Sequence, residues 1–381
     1  MQLNSNRDLL ERASFLTGDA DFVLNVASVP SLPPFTEGII NFLNEVSGIL
    51  MRNKDSKSFS DVITFAFWIR RASMTELKDS FNFGESIILG RGIAFHIAPS
   101  NVPCNFAYSL VAGLIMGNAN IVRVPSKDFA QVKIIIDAIN AALEIFPEYK
   151  PYIILIRYGH DREINNIFSG LADVRIVWGG DATISELRQF PMQARSVEIS
   201  FADRYSLAVI NSDYYCGVDD KNRVAEDFYN DTYFTDQNAC TSPRIVIWTG
   251  SRISEAKEEF WGRLHQIVEK KYYFQGIQGV NKLTSSALAA VAQPGIKIKP
   301  RNDNLVFRVS VSELTSELIE YKENSGFFFE YDCKDILELK ALCNDKRCQT
   351  IAYLGDKKDL NPLLESGIKG IDRVVPLGKT M

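Results

Sequence analysis

Thr235-Asp236-Gln237-Asn238-Ala239-Cys240-Thr241-Ser242-Pro243-Arg244 places one thiol among amides and hydroxyls. A thiol in a short polar link can be reached by a substrate, and neighbouring N–H groups can stabilise its thiolate or an oxyanion beside it. Cys240 therefore reads as a presented nucleophile, against the plainer reading of a small residue filling a gap under a loop. None of the three histidines, His96, His160 and His265, is close to it in sequence, which weighs against a Cys–His hydrolase pair. The six cysteines have no Cys-x-x-Cys spacing, so neither a zinc site nor a disulfide framework is expected.

The elements around that link are legible from periodicity. Val224, Phe228, Tyr229 and Phe234 run into it at helical spacing, and the apolar strand Ile245–Trp248 leaves it. Residues 1 to about 85 read as mostly helical, with Phe65, Phe67 and Trp68 as core. From Arg91 onward strands alternate with helices. Ile93–Ile97, Ile121–Val124, Ile153–Ile156 and Val174–Trp178 are strands, and Pro125-Ser126 is expected to open the helix that carries Val132, Ile135 and Ile139. This alternation builds a doubly wound parallel sheet, whose ligands sit at the strand carboxyl ends. The polar turns Pro99–Pro103, Pro125–Lys127 and Gly179–Asp181 fall at such ends, although none is the usual glycine fingerprint. The second half repeats the pattern more loosely, ending in an edge strand at Gly370–Gly378.

Bulk properties exclude several classes. The 381 residues suffice for two ordinary domains, with 46% hydrophobic and 23% charged residues. A net charge of −5 without a dense basic cluster argues against nucleic-acid binding. No apolar run reaches the roughly 18 residues of a membrane span. No signal pattern opens the chain, so a cytoplasmic protein is expected.

Four segments, in order, resemble the aldehyde dehydrogenase superfamily, and most closely its acyl-CoA reductase branch, found in the fatty acid reductase complex of luminous bacteria. They are Ile97–Pro103, Gly117–Lys127, Val177–Asp181 and Asp236–Arg244, with Arg373–Gly378 similar as well. The resemblance implies an α/β fold of two doubly wound parallel-sheet domains plus a C-terminal oligomerisation strand. The implied divisions are a cofactor-binding domain at 1–204, a catalytic domain with the nucleophilic cysteine at 205–369, and the strand at 370–381. A homo-oligomer using that strand and a hairpin near Phe83–Gly90 follows, since an exposed apolar edge invites another subunit.

The resemblance also implies chemistry. Cys240 would take an acyl group from an acyl-CoA or acyl-protein thioester, with a separate acyl-activating enzyme as a further partner. Asn101 would supply a side-chain N–H to the developing oxyanion. A nicotinamide cofactor would lie on Ser126, Lys127, Gly179, Gly180 and Asp181. Lys127 stands where many NAD-preferring relatives carry glutamate, and an ammonium there suits a 2′-phosphate; NADPH is therefore expected, with NADH the alternative. The family's usual cofactor lysine aligns with Val124. Glu198 aligns with the glutamate that oxidative relatives use to activate water, but Ser200-Phe201 replace the usual glycine pair. Three functions stay open: a reductase releasing aldehyde, an oxidative aldehyde dehydrogenase with Glu198 as base, and a non-catalytic subunit.

Overall fold

A computed structural model describes residues 7–81, 83–100, 102–299 and 303–380. The chain forms two compact units, one up to Ala202 and the other from Asp203. Each is built on one sheet.

Ahead of its parallel strands the first unit carries helices Glu37–Arg52, Ser60–Trp68 and Arg71–Ser80. Phe65 is core, but Phe67 is exposed, and the Arg70 guanidinium lies 4.5 Å above its ring. The sheet contains β1 (Ser14–Thr17), β2 (Ile93–Ile97), β3 (Ala119–Arg123), β4 (Ile153–Arg157), β5 (Val174–Trp178) and β6 (Val197–Phe201). Its order is β1-β4-β3-β2-β5-β6, parallel except for β1. Strands β2, β3 and β4 are almost wholly buried because helices cover both faces, which is why they read as continuous apolar runs. The order reverses between β2 and β5, the switch point where such sheets receive ligands.

Two expectations are corrected here. Residues 83–90 contain no strand and form no hairpin. Gly84 turns the chain at φ +59, and the Gly90 N–H donates to Leu32 O at 2.9 Å, so the segment is tied to the 30–35 loop. Pro125-Ser126 does not open a helix either. The helix starts at Ala130, leaving Ser126 and Lys127 in an exposed bend beyond β3.

The second unit contains β7 (Tyr205–Asn211), β8 (Pro243–Thr249), β9 (Lys297–Lys299), β10 (Phe307–Ser310), β11 (Phe327–Asp332), β12 (Cys348–Leu354) and β13 (Arg373–Pro376). The order is β13-β12-β7-β8-β11-β10-β9, with only β9 antiparallel to its neighbour. Alternate residues feed two cores. Leu207, Val209, Ile245, Ile247 and Phe329 point to one face, and Ala208, Ile210, Val246, Trp248 and Phe328 to the other. Strand β13 pairs in parallel with β12 and forms one edge of this sheet.

Candidate active site

Cys240 lies in the loop between the short turn Tyr233–Thr235 and β8, at the amino ends of the central strands. The loop is held rigid by buried polar groups. Asp236 and Gln237 both take left-handed φ values, 52° and 53°, uncommon for residues with a side chain. Gln237 is fully buried and uses its whole amide. Its Oε1 accepts from the N–H groups of Gly326 (2.7 Å) and Phe327 (3.2 Å), and its Nε2 donates to Pro243 O and Phe327 O, each at 3.2 Å. Arg244 donates to Gln237 O, to Glu323 O at 2.9 Å and to Asn324 Oδ1 at 2.9 Å. Ser206, at the start of β7, donates to the Cys240 carbonyl at 2.8 Å. The Asp236 carboxylate accepts from Tyr272 Oη. These contacts fix the backbone carrying the thiol.

Cys240 itself is half-buried. Burial pushes its thiol above the ordinary range, while its own backbone N–H and the Arg373 and Arg204 guanidiniums act in the opposite direction. The net shift is upward. The side-chain amides of Gln237 and Asn238 donate to backbone carbonyls and brace the loop. Burial also lowers Arg244 to about 10, because among the described residues its guanidinium bonds carbonyl and amide oxygens and no carboxylate.

The other expected residues belong to the first unit. The turns after β3, β2 and β5 lie side by side at the sheet's carboxyl edge, since these strands are neighbours in that order. The Lys127 and Gly180 turns are thus two strand spacings, roughly 10 Å, apart. Lys127 is exposed, and among the described residues its ammonium makes no ion pair. Val124, at the family's lysine position, is buried. Gly179 donates its N–H to Phe201 O at 3.1 Å, and a Cβ there would stand 3.2 Å from Thr183. At Gly180 a Cβ would meet nothing within 4 Å, leaving open backbone at the switch point. Asp181 begins the helix Asp181–Leu187 with its carboxylate exposed. This edge fits a dinucleotide. Asn101 lies outside the described residues.

Glu198, on β6, is not free. Its Oε2 accepts from Arg175 Nε (2.9 Å) and Nη2 (2.6 Å), and its Oε1 from Arg188 Nε (2.7 Å). Burial opposes its charge, but Arg188 and Arg175 outweigh it and hold the carboxyl below its usual range.

Beneath the switch point runs a polar chain that periodicity gave no sign of. His96 is wholly buried on β2, with Nδ1 2.7 Å from Ser109 Oγ and Nε2 3.0 Å from Asn120 Oδ1. Trp178 Nε1 donates to the same Ser109 oxygen at 3.1 Å. Burial lowers His96 to about 4, so the imidazole is neutral and orients Trp178 just before the Gly179 turn. A Cβ at Gly113, on the helix Asn105–Ile115, would come within 2.0 Å of Asn120 Oδ1, so that helix can approach this chain only through glycine.

Residues 1–273, a span that includes the Cys240 loop, match the family model described as acyl-CoA reductase (LuxC). The chain belongs to the acyl-CoA reductase (LuxC) family. A curated relative, the long-chain acyl-protein thioester reductase of Aliivibrio fischeri, is 21% identical over 298 residues, covering 76% of this chain. The chain spans about three-fifths of that relative, 58% of its length. Among solved structures, the NAD-dependent benzaldehyde dehydrogenase of Corynebacterium glutamicum matches with a TM-score of 0.60 at 14% identity, over 98% of this chain and 84% of that one. A variant of 1-pyrroline-5-carboxylate dehydrogenase from Thermus thermophilus matches at 0.62 and 12% identity, over 95% and 76%. These establish that the acyl-CoA reductase (LuxC) chain has the aldehyde dehydrogenase fold.

Proposed function

We propose that this protein reduces an acyl thioester, carried on coenzyme A or on a protein, to an aldehyde by way of an acyl group held on Cys240. The Cys240 sulfur, once deprotonated, forms a bond to the thioester carbonyl carbon, and the original carbon–sulfur bond breaks to release the leaving thiol. Gln237, Arg244 and Ser206 keep the loop backbone in place, and the Cys240 N–H together with the Asn101 amide would hold the oxyanion. When bound, a nicotinamide cofactor supplies the hydride. The carbon–sulfur bond to Cys240 then breaks, giving aldehyde and thiolate.

The observation that carries the reductive direction is Glu198. Both its oxygens are engaged by arginines and its carboxyl is held acidic, which makes it a poor base for activating water. An acyl-enzyme shielded from water survives to be reduced. The Lys127 ammonium suits a 2′-phosphate and favours NADPH, whereas the Asp181 carboxylate suits hydroxyls. We also propose self-association through β13, an acyl-activating enzyme as donor partner, and a cytoplasmic setting in which the thiols stay reduced.

The test is an assay of an acyl-CoA series with NADPH and with NADH. Aldehyde formed in step with cofactor oxidation supports the reading; aldehyde oxidation without any thioester reduction refutes it.

A further inference from the structure

The helix Gly276–Ala292 is turned inside out. The face it lays on the protein is made of Gly279, Lys282, Ser286 and Ala289. A Cβ at Gly279 would come within 3.1 Å of Asn304 Nδ2, and Lys282 Nζ donates to Asn304 O at 2.6 Å. Its outward face carries Ile277, Val280, Leu283, Leu288 and Val291, each more than half exposed, and Tyr273 stands 82% exposed just before it. An ordinary surface helix has the opposite arrangement.

Charge indicates what this face meets. The protein carries a net −5, yet the helix contains no Asp or Glu, and its one charge, Lys282, is buried. Five residues past its end, the edge strand β9 exposes Lys297 and Lys299 beside a 42% exposed Ile298. An apolar helix face with an aromatic residue at one end and lysines at the other matches a lipid surface with anionic headgroups. No helix among the described residues is long and apolar enough to cross a membrane, so the contact is one of lying on the surface.

We infer that the Gly276–Ala292 helix and β9 form a docking face for an anionic lipid surface. The inner side of the same helix reaches the nucleophile loop, through Gln278 Nε2 to Asp236 Oδ2 at 3.4 Å, so docking brings that loop towards the bilayer. The inference holds whether or not Cys240 is acylated.

The test is sedimentation of the full chain with vesicles of phosphatidylcholine alone and of phosphatidylcholine mixed with phosphatidylglycerol. The parent protein binds the mixed vesicles, and high salt weakens the binding. Val280→Asp with Leu288→Asp weakens it about tenfold or more while leaving Tm unchanged, because both side chains face solvent. Lys297→Glu with Lys299→Glu removes the preference for phosphatidylglycerol. No binding by the parent, or equal binding by the Val280→Asp, Leu288→Asp protein, overturns the inference. So does a dimer in light scattering that the same pair of substitutions dissociates, since that assigns the face to a second copy.

Discussion

Arg175 and Glu198 are register partners on the adjacent parallel strands β5 and β6, and the guanidinium closes on one carboxylate oxygen through both Nε and Nη2. The carboxylate's other oxygen is taken by Arg188. In the acyl-CoA reductase (LuxC) chain, then, the Glu198 carboxylate ties β6 to β5 and to Arg188.

Glu198→Gln should leave most reductase activity and cost about 1.5–3 kcal/mol of stability, the loss of charge-assisted bonds to a buried arginine. The sign with pH follows from the lowered carboxyl. Its contribution is complete above the unfolded value near 4.3 and is lost as pH falls through the lower folded value. Thermal melts should show a gap between parent and variant that is constant from about pH 6 to 8 and closes in acid. Activity abolished with the fold intact would instead make Glu198 catalytic.

The raised Cys240 thiol sets the pH dependence of its reactivity. Alkylation by iodoacetamide, followed by peptide mapping, should speed up about tenfold per pH unit through neutrality and reach no plateau below about pH 8.5, the ordinary cysteine value. A plateau near pH 7 would mean a thiolate stabilised by groups this chain alone does not bring to the sulfur.

Gln237 joins the Cys240 loop to β11 through a residue pair 89 and 90 positions away. Gln237→Ala strands buried N–H and C=O groups, at a cost of about 2–4 kcal/mol. It should also slow Cys240 acylation more than it raises KM for the thioester, because the backbone under the thiol is freed. An unchanged acylation rate in stopped-flow assays would show that the brace serves stability alone.

Much of this was legible in the sequence, and the remainder was hidden for physical reasons. Strands β2, β4 and β5 are buried on at least one face and stand out as apolar runs. Strand β6 alternates Val197, Ile199 and Phe201 with Glu198 and Ser200, but lies exposed at a sheet edge and lacks the continuous apolar run of the buried strands. The Gly276–Ala292 helix escaped notice because its inner face, Gly279, Lys282, Ser286 and Ala289, carries no large apolar residue. The tie between Arg175 and Glu198 spans 23 residues and the Gln237 brace about 90, distances that local spacing cannot report. Cys240 was singled out from its polar company, but how deeply burial bears on its thiol is set by residues distant in sequence.

Lys127→Glu tests cofactor choice. Losing one charge-assisted contact to a 2′-phosphate, about 1.5–3 kcal/mol, should weaken NADPH binding roughly ten- to a hundred-fold and leave NADH little changed. Titration of intrinsic fluorescence with each cofactor reads this directly. Equal affinities in the parent, unaltered by the substitution, would remove Lys127 from the site.

The central claim is that Cys240 carries the acyl group. Incubated with an acyl-CoA and no reduced cofactor, the protein should release free coenzyme A and gain the mass of one acyl group, which peptide mass spectrometry should locate on Cys240. NADPH added afterwards should discharge it as aldehyde, and Cys240→Ser should neither gain the mass nor make aldehyde. An acyl group on another cysteine, or none at all while aldehyde still forms, would contradict the account.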